Sequence, residues 1–238
     1  MSAVYLIRHG QAGLRHNYDT LSELGRAQAR LLGEYLAAQK IQFTAIYAGA
    51  MKRQQETATE ARGTLERSGQ PQPAIVTDPR WNEFDLDEVF AAMAPPLCAD
   101  DPEFKLQYED LSRQMRDQDS TVHRSWTPAD TAVVRAWVEG RYAFEGESWK
   151  AFQDRVGGCF QTLAEHGSGD AVAVFTSATP MAIAVGKALQ LNGRHVMRLA
   201  GVTYNAAFTT LRVRPNDLML FGFNGTPHLA ESGLRTFR

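Results

Sequence analysis

The chain has 238 residues, a formal net charge of -2, 44% hydrophobic and 22% charged residues, which is typical of a globular protein with one large domain or one domain and an insertion. The small net charge argues against bulk attraction to nucleic acid or to a membrane, so neither is expected as a partner. The two cysteines, Cys98 and Cys159, give no disulfide framework and no metal-ligand spacing. Together with the lack of a signal-peptide pattern or a membrane-length apolar run, they favour a cytoplasmic protein.

The first third of the chain alternates strand and helix patterns. Short apolar runs of β-formers predict strands at residues 3–7, 43–48 and 74–76. Helical spacing predicts a helix at 23–36, with Ser22 as its N-cap, and a polar helix at 51–67. The resulting β-α-β-α-β order predicts a parallel sheet.

The middle of the chain has few strand signals. Prolines punctuate it at Pro95-Pro96, Pro102 and Pro128, and residues 104–116 and 129–138 have the pattern of short helices. We interpret residues 88–146 as a helical cap inserted within a single domain that spans residues 1–238.

The strand and helix alternation then resumes. Ser148 is expected to cap a helix, and residues 171–175 form the clearest apolar strand of the chain. That strand leads to Thr179-Pro180, a predicted N-cap and first turn, and to an apolar helix at 181–191. A hairpin is predicted around Pro215-Asn216-Asp217. The predicted fold is α/β, three-layer α/β/α, with a mostly parallel central sheet and a helical cap.

Candidate functional residues follow the first strand as Arg8-His9-Gly10. Ligands of open α/β sheets bind at the carboxyl ends of the strands. Histidine is a nucleophile near neutral pH, arginine pairs with phosphate, and glycine permits close approach of the backbone. The combination suggests a phosphohistidine intermediate, although the tripeptide taken alone favours a strand-end turn with solvated Arg8 and His9.

Two further strand ends carry polar groups. Lys52 and Arg53 open the second helix, where cations oppose the helix dipole and therefore imply a nearby anion. Glu83 follows the third strand between Trp81 and Phe84, and apolar neighbours disfavour the charged form of a carboxyl group, as a general acid requires. Solvated surface charges are the alternative for both segments.

The fourth strand end is Thr176-Ser177-Ala178. A strand that runs directly into a helix N-terminus offers free backbone N–H groups to an anion. Ser177 and Ala178 are therefore candidate phosphate-binding residues, and a plain capped helix start is the alternative.

These segments together resemble the histidine phosphatase superfamily, also called the phosphoglycerate mutase-like family. The resemblance rests on segments in the same order along the chain: residues 8–12, 21–29, 52–58, 82–83, 146–156 and 224–229. It is weakest from about residue 88 to residue 144.

The resemblance implies a mechanism without a metal ion or other cofactor. His9 would attack the phosphoryl group, Arg8 and Arg53 would hold its oxygens, and Gly10 would allow close approach. Glu83 would protonate the leaving oxygen and then activate water.

The chain departs from the family at the fourth strand end. The family places a second histidine there, followed by glycines, whereas this chain has Ser177 followed by Ala178 and Thr179, or Thr176 if the alignment shifts by one residue. No histidine of this chain stands there: the others are His16, His123, His166, His195 and His228. Losing one preorganised donor costs on the order of 10²–10³ in rate, so reduced turnover is expected.

The leading hypothesis is a phosphomonoesterase that acts on a small phosphorylated molecule. The alternatives are an impaired module that binds a phosphate ligand or a phosphoprotein, and a phosphoglycerate mutase. Oligomeric state stays open, with a homodimer among the options. The cap mixes basic and aromatic side chains, which suit an anionic ligand with an apolar part or simply a folded helical segment: Lys105, Arg113, Arg116, His123, Arg124, Phe90, Trp126 and Trp137.

Overall fold

The structure, a computed structural model, describes residues 2–13, 18–117, 120, 122, 126–215 and 217–237. The chain forms two compact units, one of residues 1–83 and 155–238 and one of residues 84–154. The second unit covers the stretch in which a cap at 88–146 is predicted. The placement of that unit over the sheet and the single-domain organisation stay predictions.

The chain alternates strands and helices at both ends and is helical in the middle. The strands are β1 (Ser2–Arg8), β2 (Ala45–Ala48), β3 (Ile75–Thr77), β4 (Ala171–Thr176), β5 (Phe208–Arg214) and β6 (Asp217–Gly225). The α-helices are α1 (Glu23–Ala38), α2 (Lys52–Arg67), α3 (Leu86–Asp100), α4 (Pro102–Arg116), α5 (Pro128–Val138), α6 (Trp149–Ala164), α7 (Ala178–Leu189) and α8 (Gly193–Gly201). The predicted α/β fold is confirmed.

The strands form a six-stranded sheet in the order β3-β2-β4-β1-β5-β6. The first four strands of the chain run parallel, with Arg8 of β1 opposite Thr176 of β4 and Ala48 of β2 opposite Phe175. β5 runs antiparallel to β1, and β6 pairs with β5 as the predicted hairpin, whose Asn216 lies outside the described residues. The carboxyl ends of β1 to β4 therefore meet at one edge of the sheet.

Helices cover both faces of this sheet within its unit. On one face, Ile7, Ala173 and Phe175 of the strands pack with Leu32 and Leu36 of α1 and with the apolar residues of α2. The alternate strand residues Val4, Leu6, Val172 and Val174 are also fully buried, and α7 contacts β1 and β6. This alternation is the pattern of strands buried on both faces, and it gives the predicted α/β/α layers.

The second unit contains α3, α4 and α5, and α3 differs from the sequence prediction. A proline pair inside a helix removes two backbone donors and normally ends the helix, yet α3 continues through Pro95 and Pro96. The buried side chains Val89, Met93 and Leu97 lie on its packed face, and α3 contacts α5. Tertiary packing therefore maintains a helix that local sequence rules would interrupt.

Smaller differences occur at element ends. Ser22 caps α1 as predicted, with its side chain accepting a hydrogen bond from the Gly25 N–H at 3.0 Å. The predicted N-cap of α7, Thr179, is wrong: α7 begins at Ala178 and its N-cap is Ser177. Helix α8 was not predicted. No helix of the described residues is long and apolar enough to cross a membrane.

Candidate functional site

His9 lies directly after β1 at the edge where the parallel strands end, and its backbone is fixed on both sides. Its N–H donates to the carbonyl of Thr176 at 2.9 Å, and its carbonyl accepts from the Ala206 N–H at 3.1 Å and from the Asn205 side chain at 3.3 Å. The residue is 3% exposed. The fold therefore holds the proposed nucleophile in one position at the strand end.

The hydrogen bonds of the His9 ring define its tautomer. Nδ1 lies 2.7 Å from the carbonyl oxygen of Gly10, which only accepts, so Nδ1 carries the proton. Nε2 then accepts from Nε of Arg53 at 3.2 Å. Burial, and next the charges of Arg53 and Arg8, lower the pKa of His9 well below 6.5. The ring is therefore neutral near physiological pH, with its lone pair on Nε2, as a nucleophile requires.

Arg53 lies in the first turn of α2, as predicted, and is buried against the His9 ring. Its Nη1 bonds Oδ1 of Asp19 at 2.8 Å, and its guanidinium lies 5.2 Å from the centroid of the Tyr18 ring. The second Asp19 oxygen accepts from the Lys52 N–H at 3.1 Å. The carboxylate of Asp19 is thus an anion at this basic helix start, a residue that sequence reasoning did not identify although it expected such a charge.

Arg8 is also buried, and its Nη1 donates to the carbonyl of Thr203. Because this guanidinium helps lower the pKa of His9, its positive charge acts on the same region as Arg53. Direct contact between Arg8 and a phosphate stays a prediction.

Close packing against α1 explains why position 10 is a glycine. A Cβ at this position would lie 2.4 Å from the carbonyl oxygen of Gly25, and the Gly10 N–H donates to Oγ1 of Thr57 at 3.0 Å. Any larger residue would therefore push β1's end away from α1. The predicted contact of Gly10 with a phosphate stays a prediction.

Glu83 reaches the same edge from the loop after β3. Its Oε2 accepts from the backbone N–H of Thr179 in the first turn of α7 at 3.1 Å. Nη1 of Arg155 fixes the preceding backbone by donating to the carbonyls of Arg80 at 2.9 Å and Asn82 at 3.1 Å. The fold thus brings Glu83 to the helix that starts at Ser177 and Ala178.

Ser177 is 1% exposed and follows β4, one residue after the Thr176 carbonyl that binds His9. Its side chain does not cap α7. Instead, Oγ accepts from Nε2 of Gln54 at 2.8 Å, which explains why this serine differs from an ordinary N-cap. Gln54 is fully buried and was not singled out from the sequence, because a glutamine within a polar helix gives no signal of burial.

Several other predicted residues belong to the second unit or fall outside the described residues. Lys105, Arg113, Arg116 and the aromatic residues Phe90, Trp126 and Trp137 belong to the second unit, and His123 and Arg124 lie outside the described residues, as does His16. Cys98 and Cys159 are unpaired. No group of three or more His, Cys, Asp or Glu side chains in the described ranges could hold a metal ion.

Comparison with known proteins identifies relatives of this chain. It is 36% identical over 93 residues to the serine/threonine-protein phosphatase Pgam5, mitochondrial, of Caenorhabditis briggsae, and the match covers 34% of this chain and 33% of that protein. The Caenorhabditis elegans Pgam5 matches equally well, so the chain spans about a third of the length of these curated relatives.

Solved structures show the same fold. Bacillus stearothermophilus YhfR superposes with a TM-score of 0.66 at 19% identity, covering 96% of this chain and 100% of that one. Phosphoglycerate mutase from Bacillus anthracis superposes with a TM-score of 0.62 at 16% identity, covering 96% and 95% of the two chains. The sequence profile of the histidine phosphatase superfamily (branch 1) matches residues 4–225. Because this profile covers most of the chain, the chain belongs to the histidine phosphatase superfamily.

Proposed function

We propose that this protein is a phosphomonoesterase that works without a metal ion and forms a phosphohistidine at His9. The observation that carries the proposal is the neutral His9 ring, whose Nε2 lone pair faces the buried guanidinium of Arg53 at 3.2 Å. A nucleophile held next to a fixed cation is what phosphoryl transfer needs, because attack places negative charge on the phosphoryl oxygens.

In the proposed reaction, Nε2 of His9 attacks phosphorus and the ester P–O bond breaks. Arg53 and Arg8 stabilise the phosphoryl oxygens, and Ser177 and the Ala178 N–H add donors from the start of α7. Glu83 gives a proton to the leaving oxygen. It then takes a proton from the water that attacks phosphorus and releases His9. The position of Glu83 beside the first turn of α7 supports this role.

The proposed substrate is a small phosphorylated molecule. Because the relatives in Caenorhabditis are named as serine/threonine-protein phosphatases, a phosphoserine peptide is the informative second substrate. The unpaired cysteines support a reducing, cytoplasmic setting.

The experiment is hydrolysis of p-nitrophenyl phosphate at mildly acidic pH by wild type and His9→Ala. His195, an exposed histidine on α8, provides the matched control His195→Ala. We expect His9→Ala to abolish hydrolysis and His195→Ala to retain it. Equal rates in wild type and His9→Ala would refute the proposal.

A second candidate function is a module that binds a phosphate ligand with little turnover. It is favoured by Ser177, which the resemblance aligns with a histidine of the family, since a serine cannot supply a cationic donor. Such a module would bind phosphate through Arg53 yet hydrolyse no ester. The same serine argues against a mutase, which must keep the phosphoryl group on histidine between half-reactions.

A further inference from the structure

The hydroxyl of Ser177 has an unusual set of hydrogen bonds for an N-cap serine. Ser22 caps α1 by accepting from a backbone N–H of the helix, which is the normal behaviour of such a residue. Ser177 occupies the same position before α7 but makes no such bond. Among the described residues, the one partner assigned to its hydroxyl is the side chain of Gln54.

The orientation of the Gln54 amide is determined by backbone groups. Its Nε2 lies 3.2 Å from the carbonyl oxygen of Trp81, which only accepts, so this atom must be the nitrogen of the amide. Its Oε1 faces the Met51 N–H at 3.4 Å, in agreement with that assignment. Nε2 therefore donates to Oγ of Ser177, and the serine oxygen is the acceptor in this bond.

The direction of this bond leaves the proton of the Ser177 hydroxyl available. Among the described residues, no hydrogen bond donated by that hydroxyl is assigned. Gln54 is fully buried and Ser177 is 1% exposed, so this donor sits in a region where an unpaired polar group is costly. A buried donor with no acceptor assigned among the described residues is suited to a ligand oxygen.

The location of this donor identifies the ligand group. The His9 N–H donates to the carbonyl of Thr176, the residue before Ser177, so the serine adjoins the proposed nucleophile. The Ala178 N–H lies on the same edge and has no acceptor within its helix, whereas the Thr179 N–H donates to Glu83 and Pro180 has no N–H. A phosphoryl group on its way to Nε2 of His9 would meet these donors.

We propose that Gln54 is a positioning residue, which holds the oxygen of Ser177 so that the serine proton is donated to a non-bridging oxygen of the transferring phosphoryl group. The pair would perform the donor role of the histidine that the family has at this point. No proton is transferred in this contact: the ester P–O bond breaks, the P–Nε2 bond forms, and the leaving oxygen takes the proton of Glu83. The inference rests on the proposed phosphatase function.

The test reverses the direction of the bond. In Gln54→Glu, a carboxylate oxygen faces Ser177, so the serine proton is donated to residue 54 and not to the phosphoryl group. The four proteins to compare are wild type, Ser177→Ala, Gln54→Glu and the double variant, with kcat and KM for p-nitrophenyl phosphate as the readout. Gln55→Glu, one residue further along α2, controls for the added charge.

We expect Ser177→Ala to lower kcat on the order of 10²-fold in the Gln54 background, with KM within about threefold, because the contact strengthens in the transition state. In the Gln54→Glu background, Ser177→Ala should change kcat by less than about threefold. Gln55→Glu should keep the wild-type kcat to within a similar factor. Equal losses from Ser177→Ala in both backgrounds would overturn the inference.

A second variant and a comparison with His9→Ala distinguish failure of the inference from failure of the proposed function. If Gln54→Glu does not fold, Gln54→Met replaces it: this variant keeps the length of the side chain and removes the donor, so the effect of Ser177→Ala should again shrink. Undiminished loss in that background would overturn the role of Gln54. If His9→Ala abolishes hydrolysis but Ser177→Ala leaves the rate unchanged, the inference alone is overturned. If His9→Ala does not lower the rate of hydrolysis, the proposed function is overturned as well.

Discussion

Acid sensitivity of the folded state should come in part from a buried histidine far along the chain. His228 is 9% exposed, and its ring lies 6.2 Å from the ring centroids of both Tyr35 and Phe208. Neither ring nitrogen has a hydrogen bond of standard geometry among the described residues. Burial lowers the pKa of His228 to about 4, and the backbone of Ala206 opposes this only in part.

The direction in which stability changes with pH follows from how many protons the folded and unfolded chains bind. As the pH falls below 6.5, the unfolded chain protonates this histidine while the folded chain does not, so the folded state loses stability until the pH reaches about 4. With these two pKa values, linkage gives a loss of about 2 kcal/mol in unfolding free energy between pH 7.5 and pH 5. Above pH 6.5, His228 is neutral in both states and causes no loss of unfolding free energy.

The assay is urea unfolding of wild type and His228→Leu, followed by circular dichroism at both pH values. Other groups, including His9, titrate in both proteins, so the difference between them isolates His228. On acidification from pH 7.5 to pH 5, we expect the unfolding free energy of the variant to fall by about 2 kcal/mol less than that of wild type. Equal losses in the two proteins would show that His228 is not a neutral buried group and would refute the reasoning.

Three further predictions concern the site. Because burial and neighbouring guanidiniums lower the pKa of His9, kcat/KM for p-nitrophenyl phosphate should show no protonation step of this residue near pH 6.5; a pH profile with such a step would contradict the neutral ring. Asp19→Asn should tighten inhibition by inorganic phosphate about two- to fivefold, because the 56% exposed carboxylate of Asp19 pairs with Arg53 and would compete with phosphate for its guanidinium. Exposed ion pairs contribute up to about 1 kcal/mol. Weaker inhibition in the variant would contradict this competition. Arg155→Met should lower kcat more for an alkyl phosphate than for p-nitrophenyl phosphate, because the loop that carries Glu83 loses its backbone anchor. An alkoxide leaving group depends more than p-nitrophenolate on protonation by Glu83. Equal losses of kcat for the two substrates would indicate a purely structural effect.

The sheet and the position of His9 could be predicted because their signals are local. The apolar run of β1 and the capping pattern at Ser22 each lie within a few residues, and the structure confirms both. Since parallel strands share one carboxyl edge, strand order along the chain was enough to gather Arg8, His9 and Arg53. Arg53 was found through its conflict with the helix dipole.

The remaining features depend on contacts between distant parts of the chain. Gln54 and Ser177 are 123 positions apart, and Asp19 is 34 positions from Arg53. No periodicity or cap pattern marks such a pair before the fold is known. The continuation of α3 through Pro95 and Pro96 is likewise a result of packing, which overrides the local preference.

The central claim is that Nε2 of His9 becomes covalently phosphorylated. The most direct measurement is rapid acid-free quenching of the protein with ³²P-labelled substrate, followed by peptide mapping. The account predicts label on His9 that is stable to alkali, lost on acidification, and absent in His9→Ala. Hydrolysis by wild type with no labelled histidine at any quench time, or with label retained in His9→Ala, would contradict it.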